Sequence, residues 1–388
     1  MSGDRHFDAT IVGGGLAGRA AALAVARAGL RTLHLSPPAP PDRRTSALMR
    51  PSVAQLEALG VITDPAAIGH PLSQIRIIDA TRRLLRAPET LFDSRDAGLD
   101  AFGWNFTNTA LAAAFETVAT SLPNLVTEPR LAAKLVVGAG GASLTLDDHQ
   151  TVTTELLVGA DGKNSAVRAA AGVMAHQRDF EEAALVCDLT LGRPLNRQSV
   201  EFHYEHGPFT LVPAGEQRAN LVWIDRRATL DAATTATADV LAETLRGRML
   251  GLFGSVTIES RAQVFPLSML TVASAGRGST VLVGEAAHAF PPIGAQGLNL
   301  GLRDVADLSA ALAIRAGHAP GWAATVGEDY ARRRAANLVR TGAMVETLFR
   351  SLLADLLPAQ AARAGGLWAL KLAPGLRKRA FALGMGSR

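Results

Sequence analysis

Phe7 to Val12 reads FDATIV, a short apolar strand, and runs directly into Gly13-Gly14-Gly15-Leu16-Ala17-Gly18. An alanine-rich helical stretch follows to about Ala28, Gly29 stops it, and Leu30 to Leu35 reads as a second strand. Strand, G-x-G-x-x-G, helix, strand is the unit that sets a dinucleotide pyrophosphate on a helix N-terminus. Gly13 permits the tight turn, Gly15 lets the backbone approach a phosphate, and Gly18 lets the helix lie close to the strand. Leu16 and Ala17 open that helix, where free N–H groups and a positive dipole end await an anion. Taken alone, the segment could also be an incidental glycine-rich turn. An acidic residue commonly ends the second strand and binds a ribose. Here Ser36 stands there, followed by Pro37-Pro38. A hydroxyl bonds a ribose without charge assistance, and Asp42 is a candidate helper.

Bulk properties exclude several classes. A chain of 388 residues with 48% hydrophobic residues can bury a sizeable core in two or three structural units. Lys plus Arg minus Asp plus Glu is 39 − 35 = +4, and no basic tract carries interleaved aromatics, so no nucleic-acid partner is expected. The single cysteine, Cys187, rules out an internal disulfide and fits a reducing compartment. Neither a secretory signal nor a clean transmembrane run is visible, so a cytoplasmic protein is expected.

Two further stretches carry chemistry. Glu155 to Arg168, ELLVGADGKNSAVR, is a buried strand ending in Asp161-Gly162, with Ser165 and Arg168 following. It places a carboxylate at the C-terminal edge of a strand, where open α/β sheets bind ligands; by itself it is equally a turn with a helix cap. Gly284 to Asp304, GEAAHAFPPIGAQGLNLGLRD, has 17 residues between Glu285 and Arg303 without Lys, Arg, Asp or Glu. It ends in a helix that Leu298, Leu300, Leu302, Val305 and Leu308 can pack. His288 reads either as a buried structural side chain or as a proton-transfer group. A decoy, VVGAGGAS (Val136 to Ser143), also resembles strand then G-x-G, but the alternation after it predicts β-structure. No second nucleotide unit, and so no separate NAD(P)H domain, is expected.

These three motifs in this order resemble the group A FAD-dependent aromatic hydroxylases, the para-hydroxybenzoate hydroxylase-like flavoproteins. Within them the chain looks most like the ubiquinone-biosynthesis hydroxylases. Supporting segments are DRRTSAL (Asp42 to Leu48), GPFTLVP (Gly207 to Pro213), ANLVWI (Ala219 to Ile224), FPLSM (Phe265 to Met269) and YARRRAAN (Tyr330 to Asn337). The resemblance implies FAD as cofactor, with Arg44 on its phosphates and Asp161 organising the pyrophosphate region. Glu285 would reach the ribityl chain; the family usually has Asp there. Pro292, Gly294, Ala295, Gln296 and Gly297, with Leu298 and Asn299, would line the isoalloxazine. The family more often has Gly directly before the Gln, where this chain has Ala295.

The resemblance further implies an FAD-dependent monooxygenase. Reduced FAD and O₂ would give a C4a-hydroperoxide that hydroxylates an aromatic ring, with the protein positioning, drying and polarising. The electron donor stays open between NAD(P)H and a reductase or ferredoxin. No catalytic residue and no metal site are singled out. His203, Tyr204 and His206 are polar candidates on alternating sides of a strand. The leading substrate is a polyprenylated phenol in ubiquinone biosynthesis. The alternatives are a soluble aromatic or secondary metabolite, and a non-catalytic FAD-binding scaffold. A flavin halogenase is disfavoured because its Trp-x-Trp-x-x-Pro segment is missing.

The expected fold is α/β: a Rossmann-like FAD-binding domain of glutathione reductase type, an inserted β-sheet substrate domain and a C-terminal helical tail. The FAD domain is assigned to 1–75, 100–178 and 268–345, the sheet domain to 76–99 and 179–267, and the tail to 346–388. Substrate would bind between the domains. From Leu356 to Arg388 there is no Asp or Glu, and Arg363, Lys371, Arg377, Lys378, Arg379 and Arg388 interleave with apolar residues including Trp368. This segment reads either as a basic helix packing on the FAD domain or a biosynthetic partner, or as peripheral on the inner face of a membrane.

Overall fold

The computed structural model describes residues 5–83, 86–292, 296–314 and 319–353, with positions 365, 366 and 368. The first strand, Arg5–Val12, lies between two parallel neighbours, Thr32–Leu35 and Thr151–Gly159. Thr151–Gly159 pairs in parallel with Thr280–Leu282, and Thr32–Leu35 with Leu125–Glu128. The chain thus winds from the centre to one side and returns on the other, which leaves a crevice at the strands' C-terminal ends. Leu156, Leu157 and Val158 are consecutive and all 0% exposed. Burial without alternation means that both faces of the sheet are covered. The cover includes the first helix, Leu16–Arg27, packed on a second helix, Gln296–Ala313. Small residues allow their close approach: a Cβ on Gly301 would lie 3.3 Å from Ala17 Cβ. The decoy forms a hairpin, Ala132–Gly138 with Gly141–Leu146.

A second sheet has nine strands. Its antiparallel centre is Ala175–Leu191, Gln198–Tyr204, Gly207–Pro213, Arg218–Arg226 and Gln263–Val272. Gln74–Asp79 joins it in parallel beside Gln198–Tyr204, and Thr90–Asp93 pairs next to that. Side chains alternate as period two demands. Ala183, Leu185, Cys187, Leu189 and Leu191 face one core, whereas Ala184 joins Ile224 and Leu267 on the other face. The reading of 179–267 as strands misses two helices, Arg227–Thr235 and Ala238–Arg248. Leu230, Ala233, Leu241 and Leu245 bury at helical spacing, and the Thr237 hydroxyl caps the second helix by accepting from Val240 N–H. A three-stranded sheet, Thr45–Met49, Gly103–Thr107 and Gly69–Leu72, bridges the two larger ones.

The architecture is therefore α/β, Rossmann-like, with a separate β-sheet region and a helical C-terminal region. The last long helix, Trp322–Leu353, contains the start of the expected tail. The basic residues from Arg363 to Arg388 lie outside the described residues. Among the described residues no helix is long and apolar enough to cross a membrane.

Candidate cofactor site

All three sequence motifs follow C-terminal ends of neighbouring parallel strands. Gly13 follows Val12, Ala160-Asp161 follows Gly159, and Gly284 lies two residues past Leu282. Backbone bonds lock them together: Ala160 N–H to Val12 O at 2.8 Å, Val283 N–H to Gly159 O at 2.8 Å, and Gly13 N–H to Leu35 O at 2.9 Å. Gly13 has φ +128°, which L side chains avoid, and a Cβ there would overlap the Ala160 carbonyl. A Cβ on Gly18 would overlap Gly13 O. Gly15 is different. It is the N-cap, with φ −68° and ψ 168°, and a Cβ there would meet nothing within 4 Å. No side chain caps this helix and its first turn has no acidic residue. A bare cradle in front of uncapped N–H groups suits a pyrophosphate.

The carbonyls of that loop are held from behind. The Arg19 side chain donates through Nε to Gly14 O at 3.0 Å, and His34 Nε2 donates to Gly13 O at 3.0 Å. Burial, with nearby Arg19 adding, lowers the His34 pKa from 6.5 to about 4. The imidazole is therefore neutral, with its proton on Nε2. The folded pKa lies below the unfolded one, so the unfolded chain binds more protons between these values. Stability is complete above pH 6.5 and is lost as pH falls towards 4. We expect His34 to account for about 3 kcal/mol of stability lost between pH 7 and pH 4. Denaturant unfolding at both pH values checks this. His34→Gln, which keeps a donor but cannot titrate, should remove that increment. An unchanged pH dependence in the variant would contradict it.

Asp161 spends its carboxylate on its own loop, accepting from Ser165 Oγ at 2.5 Å and Val167 N–H at 3.1 Å. Ser165 in turn caps the short helix Ala166–Ala170 through Arg168 N–H. The Arg168 guanidinium spans two motifs, donating to Lys163 O at 2.8 Å and to Ala286 O at 3.0 Å. Glu285 is exposed between buried Gly284 and Ala286. Arg44 pairs with Asp42 at 2.8 Å, which raises its pKa, with nearby Glu285 adding to the rise. Its guanidinium also sits 5.9 Å from the Phe265 ring centroid, against the nine-stranded sheet. Lys163 Nζ donates to Ser268 Oγ at 2.5 Å on the same strand. The structure thus places Gly13, Gly15, Leu16, Ala17, Gly18 and Asp161 at the C-terminal ends of neighbouring parallel strands, with Ser36 beside Gly14 and Arg44 near Glu285.

The remaining candidates divide. Gly294 and Ala295 lie outside the described residues. Pro292 and Gly297 are exposed, Gln296 is buried and Leu298 half-buried. Asn299 is buried and turned towards the three-stranded sheet. Its Oδ1 accepts from Met49 N–H at 2.9 Å and its Nδ2 donates to Ala47 O at 2.8 Å. His288 is buried, with Nε2 2.7 Å from Asp304 Oδ2. His203 is buried against Glu201 at 2.6 Å, while the Tyr204 hydroxyl donates to Arg248 O at 2.5 Å on the other side. Sequence reasoning did not single out His34, Arg19, Asp304 or Arg334. The YARRRAAN segment held the only sequence sign of the last.

Next to Arg44, a polar seam joins the three-stranded sheet to the nine-stranded one. Asn220 Oδ1 accepts from Asn105 Nδ2 at 2.7 Å and Thr45 Oγ1 at 3.0 Å, and Asn220 Nδ2 donates to Asp188 at 2.6 Å.

The FAD binding domain family matches residues 6–341. Ubiquinone hydroxylase UbiL of Rhodospirillum rubrum is 30% identical, covering 95% of this chain and 87% of that protein. The 3-demethoxyubiquinol 3-hydroxylase of Escherichia coli is 27% identical, covering 97% and 98%. The crystal structure of p-nitrophenol 4-monooxygenase PnpA from Pseudomonas putida superposes with a TM-score of 0.79 at 16% identity, over 99% of both chains, and so shares the fold. With a bare cradle for a pyrophosphate and a family match over most of its length, the chain belongs to the group A FAD-dependent monooxygenases.

Proposed function

We propose that the protein hydroxylates the ring of a polyprenylated phenol in ubiquinone biosynthesis, using FAD and O₂. The observation that carries this reading is the near end-to-end match to two ubiquinone-pathway hydroxylases, at 95% and 97% of this chain. In this reading Gly13, Gly15, Leu16, Ala17 and Gly18 hold the FAD pyrophosphate, Ser36 a ribose hydroxyl and Arg44 the phosphates. Asp161 acts by shaping the loop after its strand, and Glu285 bonds the ribityl chain. Pro292, Gly294, Ala295, Gln296, Gly297 and Leu298 flank the isoalloxazine. Asn299 supports them by fixing strand Thr45–Met49. FAD, when bound, supplies the oxygen chemistry. The chain orients it and keeps water out.

The quinone profile of a strain lacking the gene tests the substrate. We expect accumulation of a prenylated phenol short of one ring hydroxyl, reversed by the wild-type gene. An unchanged quinone pool would point to a soluble aromatic instead. We further propose that the basic tail holds the enzyme peripherally on anionic membrane, where such a substrate resides. Low-salt vesicle sedimentation of full-length protein and of a form lacking 363–388 checks this. Loss of pelleting on truncation is expected, and equal behaviour of the two would count against it.

A further inference from the structure

Asp304 lies mid-way along the Gln296–Ala313 helix and is fully buried. Its Oδ2 accepts two hydrogen bonds, from Gly284 N–H at 2.8 Å and from His288 Nε2 at 2.7 Å. Those two residues bracket Glu285. Its Oδ1 faces Arg334 of the Trp322–Leu353 helix, with Nη2 at 2.5 Å. That contact is ionic and lacks the alignment of a hydrogen bond. Arg334 Nη1 also donates to Asp307 Oδ2 at 3.0 Å. The four side chains are 0–3% exposed.

Such a cluster is a poor source of stability, because removing charges from water costs about as much as their pairing returns. Arg334 Nε, buried without a hydrogen-bond partner among the described residues, adds to that cost. What the cluster does provide is direction. With Oδ1 held by the guanidinium, the lone pairs of Oδ2 aim at Gly284 N–H and His288. Tyr330, four residues before Arg334 and so on the same helix face, donates its hydroxyl to Leu282 O at 2.7 Å. One face of the last helix therefore holds both the end of strand Thr280–Leu282 and the loop that follows. His288 extends this hold by stacking on Phe290, with ring centroids 5.9 Å apart, just before Pro291-Pro292.

We propose that Arg334 is a positioning residue for FAD: acting through Asp304, it fixes the Gly284–His288 loop and couples docking of the Trp322–Leu353 helix to FAD binding. This rests on the assignment of Glu285 to the ribityl chain made above. The coupling is reciprocal, so FAD tightens the helix by the factor with which the docked helix tightens FAD. Lysine is not an equivalent substitute, because a guanidinium fork reaches two carboxylates whereas an ammonium is one point charge.

The test combines FAD titration of apoprotein with hydrogen exchange of the 322–338 amides, with and without FAD. Arg334→Leu should weaken FAD at least about tenfold and abolish FAD-dependent slowing of exchange, and Arg334→Lys should weaken it at least about threefold. Trp322→Phe removes the indole bond to Glu155 Oε2, 2.6 Å long, near the start of the same helix. It should speed exchange in the first turn only, ~18 Å along the helix from Arg334, leave the Arg334 turn docked, and so keep FAD affinity within about twofold. Wild-type FAD affinity in both Arg334 variants would overturn the proposal, as would equal losses in Trp322→Phe and Arg334→Leu. If Arg334→Leu does not fold, Arg334→Lys decides by the same criterion. Glu285→Leu runs alongside. Should it bind FAD normally, the loop assignment itself has failed; should it weaken FAD while the Arg334 variants do not, the coupling alone has failed.

Discussion

Gly15→Val is expected to give a folded but colourless protein. The position has extended N-cap dihedrals that any L-residue adopts, and an added Cβ meets no atom of the chain. The substitution therefore leaves the fold alone and fills the space in front of the helix N-terminus. FAD should bind at least about a hundredfold more weakly, because its pyrophosphate can no longer approach the N–H groups. Denaturant unfolding of the apoprotein should match wild type while visible flavin absorbance is lost after purification. Gly18→Val provides the contrast, since its Cβ would overlap the Gly13 carbonyl. That variant should fail to fold. Wild-type FAD occupancy in Gly15→Val would show that the phosphates sit elsewhere.

Glu285→Leu should weaken FAD by about 1–3 kcal/mol, the cost of losing a buried hydrogen bond once cofactor covers the site. Glu285 is the one exposed residue of the run Val281 to His288, although its backbone is held on both sides. The loop should therefore survive the substitution. Arg44 keeps its bond to Asp42, so the loss would not come from a freed guanidinium. Glu285→Asp should bind FAD nearly as wild type, because the carboxylate remains. Equal FAD affinity of Glu285→Leu and wild type would remove this residue from the site.

The glycine loop, the Asp161 turn and the charge-free stretch before Gln296 were legible because each depends on local backbone requirements. A tight turn needs Gly13, and close packing needs Gly18, whatever the rest of the chain does. Long-range partners left no such mark. His34 looks like any residue of a buried strand until its ring is seen to hold Gly13 O. Asn299 stands within a motif expected to face the flavin, yet its amide is spent on strand Thr45–Met49, which is 250 residues away in sequence. The pairing of Gln74–Asp79 with Gln198–Tyr204 joins segments whose patterns say strand but not neighbour. The helices at 227–248 were legible and were overlooked: Ala, Leu, Arg and Glu favour helix, and Leu230, Ala233, Leu241 and Leu245 recur at helical spacing within a segment read as alternating strands.

Isotope labelling with ¹⁸O₂ tests the central claim most directly. Holoenzyme is supplied with a chemical or enzymatic reductant, a short-chain prenylated phenol and labelled oxygen, and the product is analysed by mass spectrometry. One labelled oxygen atom in a new ring hydroxyl is the expected result, absent from Gly15→Val. Reductant-dependent O₂ consumption that leaves every tested phenol unlabelled, or a hydroxyl derived from water, would contradict the account.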